Sequence, residues 1–450
     1  MNKGKSCVLV ILFLCFSCSL ALANGLNLNS LGTRALTMGG AFVGLADDFS
    51  TIYWNPAGMA FFDKKYFGFY GTDVIPTQEF TLDVDIPPLV RIVGAETETK
   101  HFLSGLAAYY HPVSEKVVVG FGVYIPSGLG ANWNGVDFAA LSNNNPFLNW
   151  KSKIGLVTFS PGIGFQVNEK LAIGVTFNVN YGLFNLAMHA GSTEAPLPVV
   201  DLGQYEDSMK GWGYGATVGV LFRPIDKLSI GATFRSASTV KFKGESTISG
   251  MDDLGTALGT TLNVTSDTER NVTWPMWLAV GAAFQPVEGL TLTGDLQWTQ
   301  WSKIDVIETT FVDTFWATMM EQSGDDLRPM NWDDALQIRF GAEYRFNKYA
   351  FRAGYYFDPS PAPETTLNVL LPSHDFNVLT AGFGYSLNGL QLDFGIEYLM
   401  GKDRSVPFNV VTIPFDPFFT IEMPPGYETA MPGAYKMSII VPTISISYRF

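Results

Sequence analysis

From residue 66 to the end, segments of alternating character recur, and the connections between them keep a strict rhythm that leaves few folds open. Between Leu171 and Tyr181 every odd position is apolar and every even one small or polar, as in a strand with two unlike faces. Comparable runs occupy about 66–75, 101–112, 116–125, 153–167, 170–186, 210–223, 228–243, 270–285, 289–301, 336–346, 349–358, 375–387, 390–400 and 438–450, fourteen in all. Short connections lie at Ser114–Glu115, Asn168–Glu169, Ile225–Lys227, Val287–Glu288, Asn347–Lys348 and Asn388–Gly389, and each suits a tight hairpin. Long ones lie at 86–100, 126–152, 187–209, 244–269, 302–335, 359–374 and 401–437. Up-and-down strands with both termini on the periplasmic side, short turns there and long loops outside produce this asymmetry. A secreted β-sandwich or propeller has no reason to keep it.

Composition points the same way. Only 16% of residues are charged, against 47% hydrophobic and 14% aromatic, which is too much apolar matter for an ordinary soluble surface. Yet no stretch after residue 23 has the roughly 18 continuous apolar residues of a membrane helix. A transmembrane β-barrel resolves the conflict, because its apolar residues face lipid and alternate with residues facing inward. A formal charge of −14 argues against nucleic acid as a partner.

Residues 1–23 carry Lys3 and Lys5, an apolar run from Cys7 to Leu20, and Ala21-Leu22-Ala23, as a secretory signal peptide with its cleavage site does. A membrane anchor would need a longer run, and Cys15 to Cys18 poorly matches a lipoprotein site. Cleavage removes Cys7, Cys15 and Cys18, which are all the cysteines of the chain, so no disulfide can hold the exported fold. The stretch 24–62 is rich in Gly and Ala, lacks alternation and ends in Tyr53-Trp54-Asn55-Pro56-Ala57-Gly58. It is expected to be a compact hatch plugging the lumen of a barrel formed by 63–450. In the last strand Ile444, Ile446, Tyr448 and Phe450 share one face, and a final aromatic residue resembles the signal read by the barrel-assembly machinery of outer membranes.

Three stretches, in this order, carry a family resemblance: Asn55-Pro56-Ala57, the run from Tyr124 to Trp133 (YIPSGLGANW), and the run from Phe351 to Pro363 (FRAGYYFDPSPAP) leading to Leu371-Pro372. Together they resemble the outer-membrane long-chain fatty acid transporters, a family that also includes uptake channels for aromatic hydrocarbons such as toluene. The resemblance implies an all-β protein, a monomeric fourteen-stranded antiparallel transmembrane barrel with an N-terminal hatch, in the outer membrane of a Gram-negative bacterium. It further implies capture of a hydrophobic ligand at the outer loops, an inner pocket, and lateral release into the bilayer without nucleotide or other cofactor. Long-chain fatty acids are the expected cargo; an aromatic hydrocarbon, or a barrel that merely displays adhesive loops, are the alternatives. A hatch favours uptake, since a barrel built for display needs no gate.

Enzymatic readings find little support. His101, His111, His189 and His374 are scattered, with no G-x-S-x-G and no H-E-x-x-H, and no metal site is expected. Asp252-Asp253, Asp325-Asp326 and Asp333-Asp334 fall in long loops as solvated charges or as divalent bridges to lipopolysaccharide. Gly213, Gly215 and Gly219 sit on a strand as small inward residues, not in a phosphate loop.

Candidate site residues follow from position. Asn55, with Pro56 and Ala57, is expected to lock the hatch where it meets the wall, because Asn bonds its own turn and Pro fixes φ. Trp133, Phe138 and Phe147 in one long loop, with Met188, Leu197 and Val199 in the next, are expected to form a capture groove. If Asn347–Lys348 is a two-residue turn, Arg352 faces Glu343 and Arg339 faces Tyr356. Arg339, like Arg235, then points inward with no acid opposite, and these two are expected to read a carboxylate headgroup.

Overall fold

The computed structural model describes residues 25–86, 89–412 and 419–450. The expected leader, its cleavage site and the three cysteines lie outside these residues. Fourteen antiparallel staves form the wall: β1 Tyr66–Ile86, β2 Phe102–Ser114, β3 Val117–Trp133, β4 Trp150–Asn168, β5 Leu171–His189, β6 Gln204–Ile225, β7 Leu228–Arg235 continued as Ser238–Ile248, and β8 Thr265–Trp274 continued as Trp277–Phe284. Then come β9 Leu290–Thr299, β10 Ala335–Phe346, β11 Tyr349–Asp358, β12 Phe376–Leu387, β13 Leu390–Gly401 and β14 Gly433–Arg449. Each stave pairs with its neighbour in sequence, and β1 pairs with β14 from Tyr66 opposite Arg449 to Thr81 opposite Ala434, which closes the barrel.

The alternation sorts the two faces. On β5, Ile173, Val175 and Phe177 are exposed while Ala172, Thr176 and Asn178 are buried, the reverse of a soluble sheet and the arrangement a lipid-facing wall requires. Register follows the turns. Phe346 lies opposite Tyr349, Glu343 opposite Arg352 and Arg339 opposite Tyr356. At the next such hairpin Asn388 and Gly389 have φ of 49° and 84°, as a two-residue turn with both central residues left-handed demands.

The staves run further than alternation suggested. β1 continues to Ile86, β6 starts at Gln204 and β14 at Gly433. Past the lipid belt both faces meet loops or water, so period-two hydrophobicity fades while the backbone ladder goes on. The runs expected at 228–243 and 270–285 are each interrupted instead: pairing stops at Arg235 opposite Trp277 and resumes at Ser238 opposite Trp274. Pro275, which has no N–H to give, sits in the break.

Residues 25–62 pack against the lumen-facing side of this wall. They form two short helices, α1 Thr33–Thr37 and α2 Thr51–Trp54, and a 3-10 turn Pro56–Phe61. Leu31, Phe42, Ile52, Trp54 and Met59 share one apolar cluster with the inward residues Tyr70, Tyr110 and Trp277. Inward glycines permit the approach. A β-carbon added at Gly174 would stand 2.2 Å from the Pro56 carbonyl carbon, and one at Gly354 would stand 2.1 Å from the Gly39 nitrogen. Charge ties the segment down as well: Arg34 donates to Glu343 at 2.8 and 2.9 Å and also pairs with Asp47. Glu343 in turn accepts from Arg352 at 2.6 Å, and Arg352 reaches Asp393 at 2.7 Å. Arg34, Glu343, Arg352 and Asp393 are all buried, so this network holds only because every charge in it is met.

Candidate functional site

Beneath the long loops lies a cavity of about 630 Å³, enclosed by the loop-side ends of β4 to β8 and by the connections after β5, β9 and β11. Its walls are largely apolar, with Leu26, Phe184, Leu186, Ile304, Trp332 and Leu371 among them. Its volume falls in the range of about 300–1,000 Å³ usual for small-molecule sites.

Two guanidinium groups border the cavity. Arg270, inward on β8, donates to Asp207 at 2.8 Å and to Thr309 at 2.9 Å, so its charge is already met. The side chain of Arg328 makes no hydrogen bond or ion pair among the described residues; the residue is exposed and borders the cavity. Loss of water on its cavity side, and then the nearby charge of Arg270, lower its pKa below the ordinary value, against an opposing pull from Asp325. A guanidinium without a hydrogen-bonded acid at the edge of a largely apolar chamber is a site for one anionic group.

The residues singled out in the sequence fall in three places. Arg339 is buried and donates to the Gly39 carbonyl at 3.2 Å and to Gln337 at 2.7 Å. Arg235 donates to the Tyr53 carbonyl at 2.6 Å and to Thr217 at 3.2 Å, with its guanidinium over the rings of Tyr53 and Trp277. Neither borders the large cavity. Asp295 on β9 stands directly opposite Arg339, which corrects the expectation that no acid faces it, and both arginines bond main-chain carbonyls of the N-terminal segment instead of taking their expected place beside a ligand headgroup. Trp133 and Phe138 are likewise part of a loop core: Trp133 donates to the Val369 carbonyl at 2.9 Å, and Phe138 stacks between Phe80 and Trp150. Phe147 points to solvent, 89% exposed. The groove expected from these three is therefore displaced; of the loop residues named, Met188 and Leu197 line the cavity.

Asn55 stands where the segment meets β6. Its amide nitrogen donates to the carbonyls of Val43 and Val220, each at 3.0 Å, and its oxygen accepts from Ala57 at 3.1 Å. Pro56 opens the 3-10 turn that follows. At the other end of the chain, Tyr448 and Phe450 face outward with rings 5.1 Å apart, edge to face, and Phe450 donates its amide to the Lys65 carbonyl at 2.9 Å.

The wall itself is incomplete beside the cavity. Pairing between β2 and β3 ends at Leu106 opposite Tyr124, and β3 shifts register against β4 between Tyr124 and Ser127. From Ser127 to Ala131, β3 is paired on its β4 side only, among the described residues. Leu28 donates to the Pro126 carbonyl at 2.9 Å, and Ser127 bonds the Leu26 carbonyl. A small second cavity joins this break to the one in β7 and β8, lined by Asn27, Pro126, Arg235 and Pro275.

Arg270 carried a readable signal, since the phase of β8 turns it inward. Arg328 carried none, lying in a long connection without periodicity.

Comparison with known proteins agrees with this architecture. The family described as outer membrane protein transport protein (OMPP1/FadL/TodX) matches residues 14–450. A long-chain fatty acid transport protein of Escherichia coli is 22% identical over 412 residues, spanning 84% of this chain and 87% of its own. A crystal structure of a Pseudomonas aeruginosa FadL homologue shares the fold with a TM-score of 0.74 at 16% identity, over 95% of this chain and 100% of that one. The Pseudomonas putida toluene transporter TodX does so with a TM-score of 0.68 at 16% identity, over 94% and 99%. The chain belongs to the outer membrane protein transport protein family, as a transport protein of the Gram-negative outer membrane and not an enzyme.

Proposed function

We propose that the protein takes up long-chain fatty acids passively, capturing them in the cavity beneath the outer loops and releasing them sideways into the bilayer beside Pro126. Residues 25–62 act as the hatch that closes the lumen, and residues 1–23 as the leader removed on export. One observation carries the reading: Leu26 to Leu28 stand between the cavity and the unpaired edge of β3, with Leu26 lining the first and Leu28 bonded to the second. Filling the cavity displaces this tail and opens the edge. Lateral exit suits such a cargo, which gains about 0.8 kcal/mol per CH₂ on entering hydrocarbon and would forgo that gain in periplasmic water.

Arg328 supports a fatty acid over a neutral hydrocarbon, because only a ligand with an anionic end uses it. Uptake of radiolabelled oleate and toluene by cells with and without the gene tests this. Oleate uptake is expected to depend on the gene far more than toluene uptake. The opposite order would make the cargo a hydrocarbon, and no dependence for either would remove the transport reading.

A further inference from the structure

On the outside of the wall, β6 and β7 bring Lys210 directly opposite Lys243, with Trp212 opposite Lys241 one pair nearer the periplasm. All three lysines are exposed. Like charges opposed across a ladder destabilise it, because the side chains stand only about 5 Å apart at Cβ. Lys243 is partly relieved by an ion pair with Glu269 on β8, its other cross-strand neighbour. Lys210 and Lys241 have no acid partner among the described residues; Lys210 faces Leu183 on its other side and Lys241 faces Asn271. Elsewhere on the outer surface the same chain does pair its cations, Lys151 with Glu206 at 3.9 Å and Lys436 with Glu79 at 3.6 Å.

The height of the cluster identifies its counter-charge. Along β6 the outward residues Phe222, Val220, Val218, Tyr214 and Trp212 are exposed. Ten residues at about 3.3 Å each, tilted about 45°, span roughly 23 Å, the height of the lipid-facing band of such a barrel. Trp212 packs on Tyr181 with ring centroids 4.8 Å apart, and Tyr214 stacks with Phe177 at 6.2 Å. These rings mark the interface, and Lys210 is the next outward residue toward the long loops. One pair further out, Glu245 faces Asp267, so an anion is repelled there and favoured at the lysine row.

We propose that Lys210, Lys241 and Lys243 bind the phosphate of an outer-leaflet glycolipid, the lipid A headgroup of lipopolysaccharide, with its acyl chains lying along Trp212 and Tyr214. The phosphate relieves the opposed lysines, and the aromatic rings hold the sugar at the interface. The site lies outside the barrel and does not depend on which ligand the cavity carries.

The test uses the full-length protein extracted from outer membranes in mild detergent, with bound lipid read by native mass spectrometry. Titration with purified diphosphorylated lipid A should show saturable binding that also raises the unfolding temperature. Lys210→Gln with Lys241→Gln should weaken that binding roughly thirtyfold, while Lys210→Arg with Lys241→Arg retains it. Without lipid A the double glutamine variant should unfold no earlier than wild type, since it removes a repulsion. Unchanged binding in the glutamine variant would overturn the assignment. So would equal binding of dephosphorylated lipid A or of phosphatidylglycerol, and so would displacement by inorganic phosphate at the concentration at which lipid A itself competes.

Discussion

The backbone amide of Leu28 donates to the carbonyl of Pro126 at 2.9 Å, so the start of the N-terminal segment completes the edge of a wall that β2 leaves unpaired. Segment and gap are thus one hydrogen-bonded unit, and what loosens the segment should alter transport without unmaking the barrel.

Asn55 is the first place to see this. Asn55→Ala removes the donors to Val43 and Val220 and the acceptor for Ala57, at a cost of about 1–3 kcal/mol for each buried group left unmet. Oleate uptake is expected to fall, while the folded band in unheated gels and the amount inserted stay at wild-type levels. Normal uptake would reduce Asn55 to a turn residue.

Arg328 should separate cargo classes. Replacing a charge-assisted hydrogen bond costs about 1.5–3 kcal/mol, so Arg328→Ala should weaken oleate binding by roughly 10- to 100-fold. Toluene binding should hardly change, and Arg328→Lys should recover part of the oleate affinity. Isothermal titration in detergent reads all three. Arg339→Ala and Arg235→Ala should instead affect both ligands alike, because those side chains hold the N-terminal segment.

How much of this the sequence discloses depends on range. The staves, the Asn347 and Asn388 turns and the 343–352 pairing are local consequences of period-two alternation and turn chemistry, and they can be read residue by residue. The helices Met251–Leu258 and Thr314–Ser323 in the outer loops are not, being short and stabilised by packing of Leu254 and Trp316 into a shared loop cluster. Arg235 and Arg339 show the same limit within the wall. Alternation turns both inward, but their partners are carbonyls of Tyr53 and Gly39, distant in sequence, and only the placed segment reveals them. Phe138 and Phe147 sit in one loop and look equivalent, yet one is buried and the other exposed.

Glu343 should govern stability. It meets Arg34, Arg345 and Arg352 with no exposure of its own side chain. Glu343→Gln leaves buried guanidinium charge uncompensated and should cost about 3–5 kcal/mol, seen as a lower temperature for loss of the compact gel band. An unchanged temperature would mean that Asp47 and Asp393 suffice for Arg34 and Arg352.

His374, in the loop after β11, gives a pH dependence. Its ring bonds the Lys402 carbonyl at 2.9 Å, and burial pushes its pKa from 6.5 to about 4. Between those values the unfolded loop takes up a proton that the folded one refuses, so stability is full above pH 6.5 and declines as pH falls, by up to about 3 kcal/mol near pH 4. Protease cleavage within 359–375 should accelerate over that window, and His374→Phe should flatten the profile.

The coupling of the N-terminal tail to the wall can be tested by fixing one to the other. Residues 24–450 contain no cysteine, so Leu26→Cys with Ser127→Cys introduces a single pair where Ser127 bonds the Leu26 carbonyl. Oleate uptake is then measured in cells before and after reduction, with the single-cysteine variants as controls and crosslinking followed by gel shift. If release requires the tail to move, the crosslinked protein takes up no more oleate than cells lacking the gene, and reduction restores uptake. Full uptake by protein shown to be crosslinked would contradict that requirement, for the ligand would then leave without moving the tail.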